Sequence, residues 1–168
     1  MTYLYLSKKT LESVILAMMI ALMTACASGP EYVSHGFSYD AIRDSPDIEI
    51  LDYAYGNEYA MTRAPDWQKE NGTVKQGGGI TGAMPRGGSL FVKWRVKATG
   101  VEYQDTVDLR HRLPANIRDH KIHFIVRNTQ LFIYLITPER RKENEAKNGP
   151  ASYGHRKVIT IYPGQPQF

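Results

Sequence analysis

Cysteine is almost missing from this chain: Cys26 is the only one in 168 residues. That excludes a disulfide within the chain, so the fold has to stand on its apolar core. A long apolar run is also missing. The most hydrophobic segment, residues 11–23, is shorter than the roughly 20 residues a bilayer-spanning helix needs. Charge of one sign is scarce, with 21 Lys and Arg against 17 Asp and Glu. The two signs are interspersed and form no basic stripe, which argues against a nucleic-acid partner. After the first segment no amphipathic helical period is found, and nothing repeats.

What is present begins with Cys26 itself. Lys8 and Lys9 form a positive start, residues 11–23 an apolar stretch, and Met23-Thr24-Ala25-Cys26 a small-residue run closing on cysteine. This is the pattern of a signal segment, and its end resembles the lipobox of bacterial lipoproteins. Such a thiol receives a diacylglyceryl group and becomes the N-terminus after cleavage, and two or three acyl chains hold a protein firmly to a bilayer. A lone cysteine behind a membrane anchor is the rival reading. The expected parts are a signal over residues 1–25, a lipidated tether over 26–46 and one domain over 47–168. Loss of Lys8, Lys9 and Glu12 with the signal leaves 19 basic and 16 acidic residues, a net charge of +3. Ala27 stands where enterobacterial lipoproteins carry Asp to stay in the inner membrane, and this similarity implies an outer-membrane anchor facing the periplasm.

The rest reads as strands. Residues 48–55 make a first strand closed by Gly56-Asn57. In residues 90–97, Leu90, Val92, Trp94 and Val96 alternate with Phe91, Lys93, Arg95 and Lys97, a period of two. Residues 101–110 alternate likewise, with Asp105 the exception on the apolar face. A tight turn at Thr99-Gly100 would pair Ala98 with Val101, Val96 with Tyr103 and Lys97 with Glu102. A second hairpin sets Ile122, Phe124 and Val126 against Leu131, Ile133 and Leu135. Residues 131–136 are apolar on both faces, as a covered central strand would be. Residues 157–162 form the last strand. Short strands with Gly and Pro turns predict an all-β domain, a single antiparallel β-sandwich or partly open barrel. Residues 72–88 and 138–150 read as two long loops.

Chemical signatures are few. The Gly77-Gly78-Gly79 run lacks the order of a phosphate loop, and no serine sits in a Gly-x-Ser-x-Gly elbow. His120 and His123, three apart on a strand, point to opposite faces and make a poor metal pair. The chain is therefore expected to bind no metal or other cofactor and to be no enzyme. Eleven tyrosines exceed the needs of a small core. Tyr53 and Tyr55 are candidate partner contacts, together with Arg86, Arg140 and Arg141 from the two loops, since arginine recurs at interface hot spots.

The segments Tyr39-Asp40-Ala41-Ile42, residues 45–53, 82–87, 90–95 and 106–110, and Leu135-Ile136-Thr137-Pro138-Glu139 together resemble small lipoproteins encoded at type VI secretion loci, described as immunity proteins to phospholipase effectors. The resemblance implies a tethered all-β domain that binds a toxic effector delivered to the periplasm. The alternative is a structural lipoprotein of a secretion or envelope assembly.

Overall fold

The computed structural model describes residues 31–147 and 149–164; the signal segment and the first five residues of the expected tether, Cys26 among them, lie outside these. Among the described residues, eight strands build two sheets in a sandwich-like all-β fold with no closed barrel. In chain order they are β1 (Tyr32–Asp40), β2 (Ile48–Tyr55), β3 (Gly77–Pro85), β4 (Ser89–Val96), β5 (Glu102–Asp108), β6 (Lys121–Arg127), β7 (Gln130–Arg140) and β8 (Arg156–Tyr162). Two short helices, α1 (Ala41–Asp44) and α2 (Asp66–Glu70), sit in the connections. The larger sheet runs β3-β1-β6-β7-β8 and the smaller β2-β4-β5.

Within the expected tether, Tyr32–Asp40 form a strand and Ala41–Asp44 a short helix, so residues 32–46 pack with the domain expected to begin at 47. Residues 32–40 escape a period-two reading because β1 is buried on both faces. Val33, Phe37 and Tyr39 enter the core, while Ser38 lies buried on the other side. β1 pairs antiparallel with β3 and parallel with β6, so the sheet is mixed and not purely antiparallel. The expected loop over residues 72–88 is largely β3, whose glycines carry no side chains to betray a strand.

Both hairpins form. The β6–β7 register matches expectation, with Ile122 opposite Leu135, Phe124 opposite Ile133 and Val126 opposite Leu131. In β4–β5 the faces are as expected but the register slides by two, setting Trp94 across from Tyr103 and Arg95 across from Glu102. The cause is the turn. Val96 N–H donates to Val101 O at 3.0 Å, so the loop spans residues 97–100 instead of two residues, with Gly100 at φ +72°. Trp94 gains a stacked ring in place of a carboxylate, and its Nε1 donates to Asn128 O at 3.0 Å, joining the two hairpins.

One core fills the space between the sheets, centred on Leu90, Val92, Trp94, Ile122, Ile133 and Leu135. A second cluster of Ile125, Tyr134 and Ile136 lies on the outer face of β6 and β7, covered by Phe132, Tyr153 and Val158. This is why β7 is apolar on both sides.

Candidate functional site

The outer face of the larger sheet carries the most chemically organised group of side chains. Parallel pairing sets Ser38 of β1 beside His123 of β6. Ser38 Oγ lies 2.8 Å from His123 Nδ1, and His123 Nε2 lies 3.2 Å from Asp44 Oδ2 at the end of α1. The Asp44 and His123 side chains are each 2% exposed. Asp44 Oδ1 accepts the Ala151 N–H at 2.9 Å, and the Tyr153 hydroxyl is 3.4 Å from Ser38 Oγ. Burial works to raise the Asp44 pKa, but the His123 and Ala151 hydrogen bonds outweigh it and hold the carboxyl below its ordinary value. An ionised carboxylate only accepts, so Nε2 carries the proton and Nδ1 accepts from the Ser38 hydroxyl.

A groove of about 730 Å³ opens over this line, bounded by Asp40, Lys75, Lys121, Tyr153 and the glycines of β3. Two glycines permit close packing at its floor. A Cβ at Gly79 would meet Ser38 Cβ at 2.8 Å, and one at Gly36 would meet Lys121 Cε at 2.8 Å. The Lys121 ammonium sits 5.6 Å from the centre of the Tyr153 ring. Nothing in the sequence links Ser38, Asp44 and His123, which are up to 85 positions apart and carry no shared motif. Only the parallel β1–β6 seam makes them neighbours.

The residues expected to meet a partner are mostly committed to the fold. A β-bulge at Leu51 changes the parity of β2, turning Tyr53 and Tyr55 inward. Tyr55 is buried, stacks on Phe37 at 5.2 Å and accepts the Gly87 N–H at 3.0 Å. Tyr53 packs against Phe37, Tyr39 and Phe124. Arg86 is spent on the Leu113, Pro114 and Ala115 carbonyls, closing the β3–β4 connection onto the loop after β5. Arg141 donates to the Gly154, Lys142 and Glu145 carbonyls and so fixes its own loop. Arg140 alone of the five is exposed, opposite Arg156 across the β7–β8 ladder. With Arg141 and His155 these two arginines line a second, basic depression.

No group of three or more His, Cys, Asp or Glu side chains placed to hold a metal is found among the described residues. Nor is any helix among them long and apolar enough to cross a membrane. Compared with known proteins, the chain matches no family model, no curated protein and no solved structure.

Proposed function

We propose that this chain is a lipid-anchored binding protein of the bacterial envelope that receives a protein partner, a secreted toxic effector, on the free edge of β3. The supporting observation is the chemistry of that edge. Among the described residues β3 is the last strand on its side of the larger sheet, and residues 77–84 carry no charge and no proline. An edge strand presents unpaired N–H and C=O groups, and natural proteins usually blunt it with charges or proline. The opposite edge is blunted in that way, by Arg156 and Lys157 in β8 and Pro163 after it. The bare edge suits strand addition, in which main-chain hydrogen bonds give affinity.

The resemblance to immunity lipoproteins supplies the class of partner, and Cys26 supplies the membrane. Crosslinking in intact cells of the source bacterium, followed by mass spectrometry, tests both. A captured toxin, neutralised by the wild type and not by a Thr81→Lys/Gly82→Lys double variant, supports the reading. Both sites tolerate the change: Thr81 is exposed, and a Cβ at Gly82 meets nothing within 4 Å. Full protection by the double variant removes the β3 edge from the interface. Capture of secretion-machine subunits without a toxin replaces the immunity reading with the structural one.

A further inference from the structure

We propose that Ser38, His123 and Asp44 form an acyl-transfer centre, with Ser38 as a nucleophile toward small carboxylic esters. This inference does not rest on the partner-binding reading: it concerns the outer face of β1 and β6, whose groove reaches β3 as far as Thr81. It rests on four features of the groove. The three side chains are hydrogen-bonded in the order that moves a proton from a hydroxyl to an imidazole backed by a carboxylate, at 2.8 and 3.2 Å. The second Asp44 oxygen is held by the Ala151 N–H, which orients the carboxylate independently of the imidazole. Glycine at position 36 lets the Lys121 side chain lie across β1, and glycine at 79 lets β3 pass close to Ser38; a Cβ at either would come within 2.8 Å of the neighbouring side chain. Finally, Tyr153 brings a hydroxyl to 3.4 Å from Ser38 Oγ, and Lys121 brings an ammonium group to the same groove.

The chemistry closes without a cofactor. Ser38 Oγ attacks the ester carbonyl carbon while its proton passes to His123 Nδ1, and the resulting imidazolium is stabilised by Asp44 through Nε2–H. The carbonyl oxygen becomes an oxyanion facing the Tyr153 hydroxyl and the Lys121 ammonium, donors suited to developing negative charge. Collapse breaks the ester C–O bond, and the alcohol leaves with the proton from Nδ1. Water repeats the sequence on the acyl-Ser38 and releases the acid. Ser38 and His123 are the catalytic residues; Asp44 is a positioning residue. The imidazole nitrogens have exchanged the roles they hold in the chymotrypsin-like triad, but each still faces the partner its role requires.

A fluorophosphonate probe reads this directly, since it phosphonylates only a serine activated as a nucleophile. The full chain should take up a single adduct, mapped by mass spectrometry to the peptide containing Ser38 and abolished in Ser38→Ala. His123→Gln should slow labelling by about 100-fold or more, the low end of what a positioned base contributes. Asp44→Asn should change the pH profile of labelling as well as its rate, which a merely structural loss would not do. Circular dichroism on each variant separates chemistry from unfolding, and Ser38→Ala removes only a hydroxyl, so it serves as the folded control. No adduct on the wild type, or an adduct that persists in Ser38→Ala, overturns the proposal. Labelling of Ser38 that is indifferent to both His123→Gln and Asp44→Asn in folded protein overturns it as well.

Discussion

His35 shows how one buried side chain ties the two sheets together and makes stability depend on pH. Its Nδ1–H donates to Val33 O at 2.8 Å, so its Nε2 accepts from the Tyr55 hydroxyl at 3.0 Å. That arrangement needs a neutral ring. Burial chiefly, helped by the nearby Arg86 charge and opposed by the bond to Val33, holds its pKa below the ordinary 6.5. In the unfolded chain the ring takes a proton near 6.5, whereas in the folded chain it resists until lower pH. The unfolded state therefore binds more protons in that window, and stability falls as pH is lowered below about 6.5. Thermal melts from pH 7.5 to 5 should show this decline, and His35→Gln should flatten it. The same cluster sets a steric limit. A Cβ at Gly87 would lie 2.6–2.8 Å from three atoms of the Tyr55 ring. Gly87→Ala should cost about 1–3 kcal/mol, as overpacking does, and lower Tm by several degrees.

At the scale of elements, the alternating strands were legible and the turns were not. β4, β6 and β7 declare themselves because one face is apolar at every second position. The β4–β5 register could not be read, because a two-residue turn and a four-residue turn preserve the same faces and only loop geometry chooses between them. Gly100 makes the choice. At φ +72° it occupies backbone space that a β-carbon disfavours. Gly100→Ala should destabilise by about 1 kcal/mol in chemical denaturation. Gly82, with open space and no positive φ, should tolerate alanine with little change. The bulge at Leu51 was equally hidden, and it moved Tyr53 and Tyr55 from the expected surface into the core. β3 escaped notice for the opposite reason: a strand of glycines has no pattern at all. The Ser38–His123–Asp44 line was illegible for a third reason, since it depends on a parallel seam between distant segments.

At the scale of the whole molecule, the fold depends on residues that read as a tether. β1 is hydrogen-bonded on both edges and contributes Val33, Phe37 and Tyr39 to the core. A chain shortened to begin at Asp47 would expose both β3 and β6 and lose the buried side chains of Val33, His35, Phe37, Ser38, Tyr39, Ala41 and Ser45, so it should fail to fold. One beginning at Glu31 keeps the whole compact unit from Tyr32 onward and should fold cooperatively. Circular dichroism and amide NMR dispersion on the two chains distinguish these outcomes.

The β1–β6 seam has a consequence for when the molecule becomes a folded object. β1 leaves the ribosome first, yet its partner across the seam lies 85 positions later, at Gly36 against Lys121 and Ser38 against His123. Contacts that far apart require closing most of the chain before any reward is collected, which places folding of such topologies on the slow side. The β6–β7 hairpin, joined by Asn128 and Thr129, has no such wait. The β6–β7 hairpin is therefore expected to form before β1 joins it, which pulse-labelled hydrogen exchange during refolding would check by earlier protection of residues 121–136 than of 32–40. For a chain made from its N-terminus, the same separation leaves β1 without its parallel partner until residue 121 and beyond have been synthesised.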